Sequence, residues 1–234
     1  VVRVSGLAAL TGEERWVASI LELLDAIDAY VPVPERYVDA PFLMAVENSL
    51  TITGRGTVVT GAIEQGQVRI GDPVELIGLG ATVNSIVTSV ETFGKTMDSA
   101  QAGNSAALLL RGVGRHQVRR GQVLAAPGSL RAHQRFMATL HLLRAAEGGR
   151  RTPVHSGYSP QFYVRTTDVS GVLDFAGVSG SGGAAAAVAS ARPGQTVQVR
   201  VALGKPVALD VGQTFAIREG GRTVGAGTVT ALLD

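Results

Sequence analysis

The chain has 234 residues, of which 45% are hydrophobic and 17% charged, with no cysteine and a formal net charge of +2. Length and composition predict packed cores and room for two ordinary domains, and they exclude a disulfide framework or a thiolate metal site. No apolar run approaches the ~20 residues that span a bilayer, and the N-terminus lacks a basic-then-apolar signal pattern; the expectation is a cytoplasmic chain with no membrane contact. The chain opens on Val1 inside an apolar run rather than on Met, which suggests a fragment or processed form. Charge is uneven: residues 1–41 carry three basic against seven acidic side chains, residues 42–129 seven against six, and residues 130–234 eleven against six. The basic excess of the last segment suits a nucleic-acid backbone as well as an ordinary solvated surface.

Val1 to Val4 reads as a short strand. Thr11-Gly-Glu-Glu14 then offers a capping box, with the Thr11 hydroxyl facing the third helical N–H and Glu14 reaching back. Trp16, Ile20, Leu23, Leu24, Ile27 and Tyr30 follow at helical spacing and form one apolar stripe suited to covering a sheet. Pro32, Pro34 and Pro41 end the helix and stiffen a linker. A domain boundary is expected near residue 41.

From Phe42 the apolar period changes to two. Thr57 to Gly61, Gln67 to Ile70, Pro73 to Ile77 and Ala106 to Leu110 read as strands punctuated by glycine. Pro127-Gly128 marks a second boundary, and Phe136 to Leu143, Gln161 to Thr166, Thr196 to Leu203, Thr214 to Ile217 and Thr223 to Leu232 repeat the pattern. The predicted fold class is mainly β, with two consecutive antiparallel β-barrels over 42–128 and 129–234, preceded over 1–41 by one helix left from an α/β domain. Ala176 to Ser190 is almost wholly Gly, Ala, Ser and Val, and is read as a loop without chemistry.

Ser89-Val-Glu-Thr-Phe-Gly-Lys-Thr96 ends like a phosphate-binding loop, but Ser89 stands where the first glycine is needed and no helix follows. His116, His133, His141 and His155 have no metal-ligand spacing. Glu47 and Glu91 read as rim carboxylates and show no partner for acid-base work. No catalytic residue and no metal site is assigned.

Three stretches carry more than fold class: Ile52 to Gly61 (ITGRGTVVTG), Gln161 to Val169 (QFYVRTTDV) and Phe215 to Gly227 (FAIREGGRTVGAG). With Leu110-Arg-Gly112, Arg120 to Ala125 and Glu147 to Pro153 in order between them, the chain resembles elongation factor Tu over almost all its length. The resemblance implies two C-terminal barrels, with Ser5, Gly6 and Leu7 as a remnant of the guanine-proximal loop. The other GTP motifs would lie upstream, so this chain is expected not to be an enzyme and to hold no cofactor, while its parent would use GTP and Mg.

The same resemblance implies aminoacyl-tRNA, the ribosome and a Ts-type exchange factor as partners. It places the acceptor end in a first-barrel groove with Glu47, Asn48, Leu50, Arg55, Glu91, Gly94 and Ser105. It places the T-stem on Arg150, Arg151, Gln161, Ser170, Lys205, Glu219 and Gly220, where Arg and Lys would neutralise phosphates without reading bases. The groove departs from the family: Asn48 replaces an Asp, Leu50 an aromatic, Gly94 a long residue and Ser105 an Asn. Ser89 and Ala107 stand where the family has glycine, and their added Cβ atoms would exclude a thiopeptide-type antibiotic from that face. The expected function is tRNA holding by an inhibitor-insensitive copy. The alternative is an interaction or antibiotic-binding fragment that delivers no tRNA.

Overall fold

The structure, a computed structural model, describes residues 1–52, 54–175 and 190–233, in two compact units, 1–36 and 37–234. The low-complexity stretch from Ala176 therefore lies, but for Ser190, outside the described residues.

In the first unit Val1 to Val4 forms no strand, since no second strand is present there to complete its hydrogen bonds. Two helices follow, α1 (Gly6–Leu10) and α2 (Glu14–Tyr30). Ser5 caps α1, its Oγ accepting from the Ala8 N–H at 3.3 Å. The expected capping box at Thr11 does not form. Thr11 ends α1 and donates its hydroxyl proton to the Ala8 carbonyl at 2.9 Å, so α2 starts from Glu13 without a side-chain cap. No residue of α2 is buried, and Leu24, Ile27 and Tyr30 of its apolar stripe stay exposed. Val31 ends α2 in extended backbone, as the following Pro32 requires.

The second unit holds both barrels. The first uses β1 (Leu43–Ala45), β2 (Asn48–Ile52), β3 (Gly56–Gln65), β4 (Gln67–Arg69), β5 (Pro73–Ile77), β6 (Val83–Thr92), β7 (Lys95–Met97), β8 (Ser99–Gln101), β9 (Ser105–Leu110) and β10 (Val123–Ala125). The order β1-β10-β5-β6-β9-β3 closes because β1 also pairs β3; β2 and β7 extend the sheet beyond β3 and β6, and β4 pairs β8 separately. Closure brings β1 so near β3 that a Cβ on Gly61 would sit 2.0 Å from the Ala45 carbonyl oxygen. Met44, Val59, Ile63, Leu76, Val87, Val90, Leu108 and Leu124 fill the interior.

The second barrel uses β11 (Arg131–Leu142), β12 (Val154–His155), β13 (Gln161–Val164), β14 (Thr167–Asp174), β15 (Ser190–Ala191), β16 (Thr196–Leu209), β17 (Thr214–Glu219) and β18 (Arg222–Leu232). It closes as β11-β16-β14-β13-β17-β18, with β18 returning to β11, while β12 and β15 pair outside the ring. Its core is aromatic: Phe215 meets Phe136 edge-on at 5.7 Å between centroids and Phe162 at 5.5 Å.

The barrels share a third apolar cluster, in which Leu43, Ile77, Val123 and Ala125 of the first meet Leu130 and Ala208 of the second. Polar contacts surround it. The β13–β14 hairpin tip carries Arg165 at φ +49°, aiming Nε at Glu64 Oε2 (2.9 Å) and Nη1 at the Ala208 carbonyl (2.9 Å). Beside it Thr166 donates its hydroxyl proton to the Val46 carbonyl at 2.7 Å, and the Leu79 N–H reaches the Pro206 carbonyl at 2.8 Å. Gly121, at φ +96°, lies against Thr167 so closely that any side chain would overlap its hydroxyl.

With only 10% of the Arg165 side chain exposed, its charged hydrogen bonds are stabilising. Arg165→Ala is expected to cost about 2 kcal/mol and to split one thermal unfolding transition into two, measured by calorimetry. One transition at an unchanged midpoint would show that the apolar cluster suffices.

Candidate nucleic-acid interface

On the first barrel, strand register decides which predicted residues meet. Asn48 pairs Thr60, Thr60 pairs Ala107, and Ala107 pairs Glu91, giving one row across β2, β3, β9 and β6. One step along the same outward face, Leu50, Val58, Leu109 and Ser89 form a parallel row. Directly paired residues in an antiparallel sheet point the same way, so Asn48, Leu50, Glu91, Ser89 and Ala107 share a face, and Ser105 joins them through its pairing with Ala62.

A depression of about 230 Å³ lies in this face, lined by Glu47, Glu91, Gly94, Ser105 and Ala107 together with Thr60 and Phe93. Asn48, Leu50, Arg55 and Ser89 do not line it. Arg55 sits at the exposed β2–β3 turn, the Asn48 amide oxygen accepts from the Ser49 N–H at 2.9 Å, and Ser89 stands one row away. The two expected inhibitor-groove substitutions are therefore unequal: Ala107 places its methyl in the depression, and Ser89 borders it.

Sequence reading missed Phe93. Thr92 pairs Lys95, leaving Phe93 and Gly94 as a two-residue turn with φ +49° and +74°. Such hairpin turns demand left-handed backbone, which a bulky residue adopts only under strain. Phe93 holds it while 89% exposed beside Glu91, an aromatic face standing at the mouth of the depression. The signal was an aromatic-Gly pair between two strand patterns.

On the second barrel, Ser170, Gln161, Arg218 and Thr223 form a row across β14, β13, β17 and β18. Gln161 donates from Nε2 to Ser170 Oγ at 2.9 Å, and the backbone of Gly204, next to Lys205, abuts the Ser170 carbonyl. Arg218 lies 4.9 Å over the Tyr163 ring and donates to the Gly221 carbonyl at 2.5 Å. Gly220 and Gly221 make the β17–β18 turn with φ +52° and +82°. Around it opens a larger depression, about 540 Å³, lined by Gly148, Arg150, Arg151, Thr152, Glu219 and Arg222. Of the predicted T-stem residues, Arg150, Arg151 and Glu219 line this depression and Gly220 lies in the turn beside it, while Gln161 and Ser170 pair with each other in the neighbouring row and Lys205 follows Gly204 on β16.

Their charges are not equivalent. Arg150 is ion-paired with Glu219, donates to the Tyr158 hydroxyl at 3.3 Å and to Thr152 Oγ1 at 3.2 Å, and stacks on Tyr158 at 4.9 Å. Partial burial opposes its charge, but the Glu219 hydrogen bond and the attraction of Tyr158 and Glu219 hold the guanidinium above its ordinary range. Burial, aided by Glu219, raises the Tyr158 phenol against the opposing pull of Arg150. Arg151, Lys205 and Arg222 are exposed, without an ion-pair partner among the described residues.

The family model for elongation factor Tu domain 2 matches residues 56–125, and that for the elongation factor Tu C-terminal domain matches residues 129–233. All 234 residues align at 60% identity with "Elongation factor Tu 2" of Streptomyces avermitilis. The chain belongs to the elongation factor Tu family. It spans 57% of that relative's length.

The Arg150–Tyr158–Glu219 triad is a built support rather than loose surface charge. Glu219→Gln is expected to lower the pH at which Tyr158 ionises, because the carboxylate that raises it is removed while Arg150 remains. Ultraviolet titration of the phenol, with Tyr158→Phe as the blank, measures this; an unmoved titration would show that burial alone sets it.

Proposed function

We propose that this chain is the aminoacyl-tRNA-holding part of a translational GTPase that delivers charged tRNA to the ribosome. The supporting observation is the row Asn48–Thr60–Ala107–Glu91, which gathers residues from four strands beside an exposed aromatic, while the basic rim of the second barrel offers a surface for a phosphate backbone. In the groove, Glu91 accepts a hydrogen bond from a ribose hydroxyl and Phe93 offers its ring to the terminal base. On the rim, Arg151 and Lys205 neutralise phosphates, and Arg150 shapes the depression.

The whole protein would carry a GTPase domain using GTP and Mg, served by a Ts-type exchange factor in the cytoplasm. Ser5, Gly6 and Leu7 would lie near the guanine, and loss of the γ-phosphate would release tRNA by moving that domain. The chain as given performs no turnover in this reading.

Titration with charged and uncharged tRNA, with a GTP-loaded GTPase domain supplied, tests the proposal. Charged tRNA should bind more tightly, and Glu91→Ala should weaken it at least about tenfold, in keeping with the roughly 1.5–3 kcal/mol of a hydrogen bond to a charged group. Arg151→Ala with Lys205→Ala should reduce the salt slope by about 0.9 for each phosphate no longer neutralised. Equal binding of charged and uncharged tRNA would favour the alternative, an interaction or antibiotic-binding fragment that delivers no tRNA.

We also propose that the groove is insensitive to thiopeptide-type antibiotics. The Ala107 methyl lies where such an inhibitor would approach the sheet, and Ser89 narrows the neighbouring row. Ala107→Gly should tighten inhibitor binding more than Ser89→Gly, measured by isothermal titration. Equal, weak binding by both variants and by their combination would refute it.

A further inference from the structure

Lys205 stands where the second barrel does not hold itself. On one side of β16, Ala202 pairs Arg135 and Val207 pairs His133, so the four residues from Leu203 to Pro206 face Gln134 alone. On the other side the pairing with β14 ends at Leu203. Gly204, Lys205 and Pro206 therefore belong to neither ladder among the described residues, and such a bulge re-aims the side chain it carries.

The bulge is fixed from the first barrel. In the β5–β6 loop, Gly78 and Leu79 both take left-handed backbone, with φ +98° and +60°. A leucine holds that conformation only where its surroundings impose it. The loop lies on β16, since a Cβ on Gly78 would come within 3.4 Å of the Ala208 nitrogen, and the Leu79 N–H reaches the Pro206 carbonyl, the next residue after Lys205, at 2.8 Å.

Behind the loop sits Gln122, a buried amide with 4% of its surface exposed. Its Nε2 donates to the Gly78 carbonyl at 3.1 Å and its Oε1 accepts from the Arg119 N–H at 2.7 Å. Its own carbonyl accepts from the Val46 N–H at 2.9 Å, one residue before Glu47 of the groove. A buried amide with both ends bonded keeps its neighbours in place, because either contact is costly to leave unmade.

We propose that Gln122 and Leu79 of the first barrel are positioning residues for Lys205 of the second, setting the direction in which its ammonium leaves the bulge. Neither residue touches RNA. The functional half of the proposal rests on the reading of Lys205 as a phosphate-neutralising side chain.

Lys95 and Lys205 are the only lysines in the chain, so reductive methylation with carbon-13, which keeps the charge, gives one side-chain NMR signal for each. Gln122→Met should move the Lys205 signal and leave that of Lys95 in place. Leu79→Gly, which removes no buried polar group and frees the loop to leave φ +60°, should move or broaden the same signal even if Gln122→Met does not fold. With the GTP-loaded GTPase domain supplied, Gln122→Met should weaken charged tRNA as much as Lys205→Ala does and flatten the salt slope by about 0.9, the value for one neutralised phosphate. Adding Gln122→Met to Lys205→Ala should change neither affinity nor slope. A Lys205 signal unmoved in the folded variants, or an equal loss of binding with and without Lys205, would overturn the proposal. A moved signal with tRNA binding indifferent to Lys205→Ala would uphold the positioning and count against the phosphate role of Lys205.

Discussion

The contact between the two barrels fixes everything else in the second unit. Each ring closes on itself and, among the described residues, no strand of one barrel pairs with a strand of the other, so their union rests on a small apolar cluster, the Leu79–Pro206 backbone hydrogen bond, Thr166 and Arg165. That side chain leaves the tip of one hairpin, crosses to Glu64, and also engages a carbonyl of its own barrel. Its left-handed backbone is tolerated because the guanidinium has two well-placed acceptors there. In the proposed function a surface made from parts of both barrels would need this rigidity, since an RNA would register against groove and rim together only if the angle between them were held.

Both surfaces follow from strand register. A one-residue slip between β9 and β3 would turn Ala107 inward and bring Leu108 out of the core. The groove's chemistry is therefore coupled to core packing, and substitutions tolerated there are ones that keep the pairing, as Ser89 and Ala107 do. On the rim, electrostatics divide the labour. Glu219 lowers the net charge of the depression and orders Arg150 against Tyr158, while Arg151, Lys205 and Arg222 stand exposed to solvent.

Strands with a clear period of two were readable in sequence, among them β4 and the Thr214 to Ile217 part of β17. Others were hidden for physical reasons. The residues of β1 and β10 are buried on both sides, so these three-residue strands show no alternation. In β14 the inward positions are Thr167, Val169, Gly171 and Leu173, and Thr and Gly dilute the apolar signal. Thr11 had the spacing of a capping box, but α1 forms just before it and takes its hydroxyl. The site residues came from family resemblance; their grouping came from register, and the Arg150–Glu219 pair, 69 positions apart, has no local signature.

Segment totals also hid a cluster of arginines at residues 111–120, between β9 and β10. Four of the seven basic residues between 42 and 129 fall within ten positions, and the acids that balance them are elsewhere on the barrel. At physiological ionic strength, charges farther apart than ~8 Å barely interact, so a neutral total does not neutralise a local patch. The local field there is that of the segment itself, whose backbone is held by buried Val113 and Val118 and by turns closed by Gln117 and Gln122. A flexible tail of equal charge would retain its conformational entropy; this segment has already lost it in folding.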